Sequence, residues 1–239
     1  MYFSVITPEE SLLRQAAHEL AQSSYAEHQW LWKFFPSDKD QARDFIFSRH
    51  EIGQMPRFYV VSQREPKLFS DAWQMQSRVY DPQLQKGLRL SFQLRANPVI
   101  NKKNATGKSQ RHDVVMQAKK QLLAEHGFSK EAKWADWKDE SKKPLLYELV
   151  QKHCTVWLDG VAEKNGFEIA RSSDDAPRLQ VDSYGQNKAS KSDHDIRFSA
   201  VDFSGELLVT NPELFQQALF NGIGHAKAFG CGLLLVRRI

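Results

Sequence analysis

The strictest periodicity in the chain lies at residues 88–95, where apolar and polar side chains alternate. The apolar positions are Leu88, Leu90, Phe92 and Leu94, and the polar positions are Arg89, Ser91, Gln93 and Arg95. A period of two predicts a strand with one face in a core and the other in water. The face predicted to contact water carries two arginines and no acid.

Residues 2–6 predict a short strand, and a helix with one apolar face follows. The apolar positions of this helix are Leu12, Leu13, Ala16, Ala17 and Leu20. Thr7 is predicted to cap the helix, with Pro8 at its first position and Glu10 closing a capping box. Ser24 and Glu27 have the same spacing and predict a second short helix over 25–35, which Pro36 ends.

Three strands are predicted next, at 44–49, 57–63 and 74–80, from their β-branched and aromatic residues. The predicted order so far is one strand, a helical region and three strands. A helix between the last two strands would complete a βαββαβ ferredoxin-like unit. Only residues 66–71 are available for that helix, so the element is predicted to be short or degenerate.

The second half of the chain repeats this order. The predicted elements are a strand at 88–95, an exposed loop or hairpin at 101–112, helices within 114–164, strands at 167–170 and 178–183, a polar loop at 183–195, a strand or hairpin at 196–210, a helix at 211–220 and a strand at 233–237. The pattern predicts an α+β protein of two tandem ferredoxin-like (RRM-like) domains, at 1–84 and 85–239.

Charge is distributed unevenly in this chain of 239 residues with a formal net charge of +4. No acid occurs between Asp81 and Asp113, whereas seven basic residues do: Lys86, Arg89, Arg95, Lys102, Lys103, Lys108 and Arg111. This run favours a polyanion-binding surface over an ordinary solvated face.

The two cysteines exclude a disulfide framework. No apolar run is long enough for a membrane span, so we expect a cytoplasmic protein.

Four glycines fall within eleven positions near the carboxy terminus, at Gly222, Gly224, Gly230 and Gly232. Together with Lys227 and His225 they could cradle a phosphate, because glycine lets backbone N–H groups approach an anion. A tight connection from a helix to a strand explains the spacing equally well. A dinucleotide fingerprint is excluded, because it needs the glycines after a strand and before a helix.

His28 lies three positions after Tyr25, so both side chains would project from one helix face. Near a helix amino terminus an imidazole stays more neutral and can act as a base, although a structural histidine remains the alternative. His153 is expected to be a core histidine. The eight histidines show no metal-ligand spacing, and we expect neither a metal nor a cofactor.

Four collinear segments resemble the CasE family of CRISPR precursor-RNA endoribonucleases. They are YAEHQWLWKFFP at 25–36, ARDFIF at 42–47, LRANP at 94–98 and GIGHAKAFGCGLL at 222–234. The resemblance implies two ferredoxin-like domains that bind the CRISPR repeat hairpin and cut at the base of its stem. It further implies that the protein uses no metal and stays on its product as a subunit of Cascade. The additional helical residues at 115–165, with Trp134, Trp137 and Trp157, would provide a Cascade contact or extra packing.

By the family pattern, His28 is the general acid or base, Tyr25 its partner, and a lysine from a loop, Lys188 or Lys191, completes the catalytic site. RNA supplies its own nucleophile, the 2′-hydroxyl, so no protein nucleophile is needed. The expected RNA-binding residues are Arg89, Arg95, Lys102, Lys103, Lys108, Arg111, Gly222, Gly224, His225, Lys227, Gly230 and Gly232. The alternatives are a non-catalytic RNA-hairpin-binding subunit and a nucleotide-binding metabolic enzyme.

Overall fold

The computed structural model describes residues 1–20, 24–36, 41–103, 106–191 and 194–239. Its first half contains β1 (Tyr2–Pro8), α1 (Leu13–Leu20), α2 (Ser24–Trp32), β2 (Phe45–Ile52), β3 (Met55–Ser62) and β4 (Trp73–Val79). The four strands form an antiparallel sheet in the order β2-β3-β1-β4. This is the ferredoxin-like order, and no helix occurs in the described residues 63–72 between β3 and β4.

The start of the first helix differs from the predicted one. Thr7 and Pro8 continue β1, where they pair with Gln74 and Trp73 of β4. The helical segment begins with a 3-10 turn at Glu10–Leu12, whose N-cap Glu9 makes no side-chain capping bond. The predicted Thr7 cap is therefore wrong, because pairing with β4 keeps the backbone extended for two more residues.

The aromatic run after His28 forms the core of the first half. Trp30 is 2% exposed and lies 4.4 Å from Trp73 and 4.7 Å from Phe58, measured between ring centroids. Phe34 and Phe35 are also buried. These residues therefore attach α2 to the sheet.

The second half contains β5 (Arg89–Ala96), β6 (Val99–Lys103), β7 (Ser109–Asp113), α3 (Val114–Glu125), α4 (Leu146–Lys164), β8 (Phe167–Ile169), β9 (Leu179–Lys191), β10 (His194–Val209), α5 (Pro212–Asn221) and β11 (Leu234–Arg238). The main sheet has the order β11-β5-β10-β8. The long strand β10 pairs with β8 through residues 207–209 and with β9 through residues 194–205. This is a second ferredoxin-like arrangement, so the predicted fold class is confirmed. β6 and β7 form a separate two-stranded ribbon.

The segment at 115–165 has an aromatic cluster of its own. Trp137 is 3% exposed and packs against Trp134, His126 and Phe128. Trp157 stacks on Phe203 and donates a hydrogen bond to the Val99 carbonyl oxygen at 3.1 Å. All three tryptophans of this segment therefore take part in internal packing.

The two halves meet through apolar side chains and the glycine-rich segment 222–232. Ile46 and Val61 of the first sheet share a buried cluster with Leu233. The segment lies along β2, the edge strand of that sheet, so that Gly222 approaches Ile46 and Gly230 approaches Phe47. The division at 84 and 85 stays a prediction.

Neither cysteine forms a disulfide, and both are buried. Burial raises the pKa of each thiol to about 12, so both remain protonated near neutral pH. They therefore act as small apolar core residues.

We predict that Gly222→Ala lowers the free energy of unfolding by about 1–3 kcal/mol. Gly222 has φ +72°, and a Cβ there would lie 2.9 Å from both the Gly232 carbonyl oxygen and Ile46 Cδ1. The matched control is Gly160→Ala on α4, where a Cβ meets nothing within 4 Å. That control should be neutral or stabilising by up to about 1 kcal/mol. Urea unfolding measures both, and equal stabilities for the two variants would contradict the packing argument.

Candidate active site

His28 lies on α2 with its imidazole packed against two aromatic rings. The ring centroid is 6.1 Å from Trp32 and 5.8 Å from Phe45, and the Nε2 atom is buried. Phe45 belongs to β2, so the first sheet determines where the imidazole lies. In this conformation a proton transfer by His28 would use Nδ1 or follow a rotation of the ring. The side chain of Tyr25 lies outside the described residues, so its pairing with His28 stays a prediction.

Glu27, the residue before His28, takes part in an ion-pair network. Glu27 forms an ion pair with Arg49 of β2, and Arg49 also contacts Glu51 at 2.5 Å. Burial raises the pKa of Glu27 even though Arg49 acts to lower it. This pair fastens α2 to β2 beside His28.

The helix α2 contacts two distant parts of the chain. One is the 3-10 turn Lys227–Phe229 within the glycine-rich segment, and the other is β9, which carries Lys188. Residues separated by more than 150 positions in the sequence are thereby brought to one helix. The predicted catalytic helix, glycine-rich segment and lysine-bearing segment therefore lie together.

A cavity of about 780 Å³ opens between the β6–β7 ribbon, the β9–β10 hairpin and the glycine-rich segment. Its basic lining residues are Arg111, Lys188, Arg197 and His225, and its acidic lining residue is Asp113. Asp113 Oδ1 accepts hydrogen bonds from the Met116 amide of α3 and from the Tyr184 hydroxyl. The cavity therefore combines four basic residues with one carboxylate that is already used in the fold.

Positive charge continues from this cavity toward β2. Burial lowers the pKa of His225, and the charges of Arg111 and Lys227 lower it further. Burial also lowers the pKa of Lys227, and Arg43 adds to that shift. Adjacent cations that disfavour one another are stabilised by a bound anion. The row therefore suits a polyanion such as a phosphodiester backbone.

Backbone hydrogen bonds join the two ends of the glycine-rich segment to each other and to β5. Ile223 N donates to Gly232 O at 2.7 Å, and Gly232 N donates to Arg95 O at 2.7 Å. Lys227 Nζ donates to Asn221 O at 2.8 Å. Gly222 and Gly232 therefore form a tight helix-to-strand connection, and their contact with RNA stays a prediction. His225 and Ala226 are the residues of this segment that lie at the cavity, together with Phe229.

The sequence pattern predicted a polar loop at 183–195, and this prediction is wrong for the residues that the structure describes. Residues 183–191 and 194–195 belong to the paired strands β9 and β10, in which Lys188 lies directly opposite Arg197. Backbone pairing decides this structure, and alternation of hydrophobic residues does not reveal it. Lys188 is exposed and lines the cavity. The side chain of Lys191 lies outside the described residues.

The polar face of β5 itself carries no acid, but its two arginines pair with acids of the neighbouring strand. Arg89 contacts Glu206 at 2.6 Å, and Arg95 contacts Asp202 at 3.1 Å. Both carboxylates come from β10, more than 100 residues later in the chain. Because these arginines are already paired, the charge-run argument for RNA contact does not extend to them.

The β6–β7 ribbon keeps its positive charge. Lys102, Lys103 and Arg111 are exposed and form no ion pair with any residue that the structure describes. Lys108 is exposed on the same ribbon. Arg111 lines the basic cavity, whereas Lys102 lines a second cavity of about 650 Å³ with His153 and Lys164. The ribbon is therefore the basic surface that the sequence predicted.

Sequence reasoning missed Arg43 and Arg197. Arg43 lies beside Lys227 and is half-buried, and Arg197 lies opposite Lys188. The signal for Arg197 was its position on an alternating strand, and only the register with β9 reveals its neighbour. The ARDFIF segment at 42–47 was identified as part of the family resemblance, but no function was assigned to its arginine, Arg43.

Within the described ranges there is no cluster of three or more His, Cys, Asp or Glu side chains suited to a metal ion. In the same ranges, no helix is both long enough and apolar enough to cross a membrane.

Comparisons with known proteins agree over nearly the whole chain. The CRISPR system Cascade subunit CasE of Escherichia coli (strain K12) is 28% identical over 222 residues, which cover 91% of this chain and 94% of that protein. A structure of CRISPR endoribonuclease Cse3 bound to 19 nt RNA matches with a TM-score of 0.69 at 25% identity, covering 99% and 100% of the two chains. The structure of Cas6e from Escherichia coli str. K-12 matches with a TM-score of 0.54 at 20% identity over both full chains, which shows the shared fold.

A sequence model of the family described as "CRISPR associated protein" matches residues 1–238. The resemblance that the four segments suggested is thereby confirmed, and the chain belongs to this family of CRISPR-associated proteins.

Proposed function

We propose that this protein is a metal-independent endoribonuclease that binds the stem-loop of CRISPR repeat RNA and cleaves the precursor at the base of the stem. It then stays on the mature guide RNA as a subunit of Cascade, with the other subunits as partners. The observation that carries this proposal is the convergence of the His28 helix, the glycine-rich segment and Lys188 beside a basic cavity. The names of the relatives, a Cascade subunit and an endoribonuclease bound to RNA, support it.

The reaction follows from the chemistry of RNA. The 2′-hydroxyl attacks the adjacent phosphorus while the bond to the 5′ oxygen breaks, which gives a 2′,3′-cyclic phosphate, or its 3′-phosphate descendant, and a 5′-hydroxyl. His28 removes the 2′ proton or protonates the departing oxygen, and Tyr25 orients it. Lys188 stabilises the charge that develops on the phosphate oxygens. Holding the stem fixes the attack in line with the leaving group.

The basic ribbon is proposed to hold the stem. Lys102, Lys103, Lys108 and Arg111 would contact its phosphates, and His225 and Lys227 would extend this contact toward the scissile bond. Stem shape and the adjoining single strand would supply selectivity, because the deep groove of A-form RNA hides its bases.

A second candidate function is hairpin binding without cleavage. The observation that favours it is the enclosure of the His28 ring by Trp32 and Phe45, with Nε2 buried. A structural histidine has this environment, and the variants below separate the two functions.

We expect repeat RNA to be cleaved in excess EDTA, and the same RNA with a 2′-deoxy sugar at the cut position to stay intact. The reason is that the nucleophile belongs to the substrate. Denaturing gels and mass spectrometry of the product ends provide the measurement. A requirement for magnesium, or cleavage of the deoxy substrate, would refute the reaction.

His28→Gln should lower the single-turnover cleavage rate by about 10²–10⁴-fold and leave hairpin affinity within a few-fold of the wild type, because it removes a proton-transfer group while keeping a polar side chain. His28→Ala should behave alike. Gln29→Ala, at the exposed neighbouring position, serves as the control. Full cleavage by both His28 variants, with circular dichroism unchanged, would exclude His28 from catalysis.

Lys188→Ala should slow cleavage by about 10²-fold with little change in hairpin affinity, because its charge acts mainly on the transition state. Lys191→Ala is the parallel variant, and Lys130→Ala, at an exposed position that does not line the cavity, is the control. Single-turnover rates at saturating protein give the answer. A larger loss in Lys191→Ala than in Lys188→Ala would transfer the catalytic role to Lys191.

A further inference from the structure

A groove lies between β6 of the basic ribbon and the helices α3 and α4. It is the cavity of about 650 Å³ that Lys102, His153 and Lys164 line. Most of its wall is apolar, and the larger apolar lining residues are Val99, Ile100, Val114, Val156, Trp157 and Val161. Of the described residues, only Val99 also lines the basic cavity. We call this separate surface the helix-side groove.

The two helices border the helix-side groove with side chains at helical spacing. The lining residues of α4 extend from His153 to Lys164, and those of α3 from Val114 to Gln121, with spacings of three and four residues. The stripe on α4 is about 16 Å long. Val156, which belongs to this stripe, is 66% exposed. The described chain therefore leaves part of an apolar helix face uncovered.

Gly160 lies within the α4 stripe, at a place where glycine is unfavourable. Among the helices that the structure describes, α4 alone has a glycine inside it. Glycine destabilises a helix interior relative to alanine, because it loses more conformational freedom on folding. A Cβ at this position would meet nothing within 4 Å, so no packing contact of the described chain requires the glycine. The bare backbone instead leaves room for a bulky side chain of another molecule.

β6 borders the helix-side groove with a free edge. Among the described strands it pairs with β7 alone. The Val99 carbonyl oxygen faces the groove, where it accepts a hydrogen bond from Trp157 Nε1 at 3.1 Å. Backbone groups of an antiparallel strand alternate between its two sides, so the N–H and C=O groups of Asn101 and Lys103 also face away from β7. A partner strand can therefore pair with β6 along the groove.

The rim of the helix-side groove is positively charged. Lys102 and Lys164 supply the charge, whereas burial and a neighbouring lysine lower the pKa of His153 and leave its ring neutral near pH 7. None of the residues that line the groove, all of them in the described part of the chain, is acidic. On α4, Asp159 and Glu163 line a different cavity beside β8. An acidic side chain therefore complements this rim.

We propose that the helix-side groove binds an extended segment of a partner protein, which pairs with β6, inserts an apolar side chain over Gly160 and places an acidic side chain beside Lys164. The proposal goes beyond the cleavage function and does not depend on it. Strand addition provides affinity through the backbone, and pockets for alternate side chains provide specificity. RNA fits this groove less well, because its phosphates would lose hydration against aliphatic walls that donate no hydrogen bonds.

The probe is a display library of random octapeptides, selected on the full-length wild type and counter-selected on Gly160→Leu, whose new side chain fills the groove. We expect the enriched peptides to alternate apolar and polar residues and to carry an acid. In fluorescence anisotropy, an enriched peptide should lose roughly tenfold in affinity for Gly160→Leu. Gly185→Leu, on exposed β9 outside the groove, is the matched control, because a Cβ there also meets nothing within 4 Å. It should bind the peptide as the wild type does.

Charge and backbone pairing are tested separately with the same peptide. Lys164→Glu should weaken binding by roughly tenfold, whereas Lys152→Glu, the same change at an exposed position of α4 outside the groove, should not. A peptide that is N-methylated at alternate amides should not bind, because it cannot donate hydrogen bonds to β6. The unmodified peptide should slow hydrogen exchange at the amides of Asn101 and Lys103.

Three outcomes would overturn the proposal. The first is that no enriched peptide distinguishes the wild type from Gly160→Leu while circular dichroism shows both to be folded. The second is equal binding of the N-methylated peptide, which would exclude strand pairing. The third is displacement of the peptide by repeat hairpin RNA, which would assign the groove to RNA.

Discussion

The close approach of Gly222 and Gly232 to each other and to β2 determines the arrangement of the site. Both residues have positive φ, and neither has room for a Cβ. Their contact turns the chain from α5 into β11 and brings the turn Lys227–Phe229 against α2. The helix that carries His28 therefore packs against the segment that contributes His225, Ala226 and Phe229 to the basic cavity. The absence of a side chain at Gly222 and Gly232 thus allows packing that brings together groups about 200 residues apart in the sequence.

Charge is compensated in one part of the molecule and left uncompensated in another. On the polar face of β5, Arg89 and Arg95 pair with carboxylates of β10. Around the cavity, Arg111, His225 and Lys227 lie beside one another, and burial lowers the pKa of the last two. Uncompensated charge at a partly buried site costs free energy, and a bound polyanion offsets that cost. The uncompensated basic surface, which we propose as the RNA-binding surface, is therefore smaller than the basic sequence window, and it includes residues from four separate segments.

Strong local patterns predicted much of the fold. The alternation at 88–95 and the predicted helix at 211–220 both correspond to observed structure, and the Asn211 side chain caps that helix by accepting from the Glu213 and Leu214 amides. The β9–β10 hairpin was missed because its polar residues carry no hydrophobic period. The ion pairs of Arg89 and Arg95 were missed because their partners lie in a distant strand. Strand register, which no short segment encodes, decides both features.

The glycine-rich segment also packs against Ile46 and Phe47 of β2, the edge strand of the first sheet. During synthesis this edge emerges early, whereas its cover is made about 180 residues later. At ribosomal speed the delay is roughly 10–40 s. An apolar strand edge exposed for that time is an aggregation hazard, so we expect the nascent chain to bind chaperones. Truncation before residue 222 would make that exposure permanent.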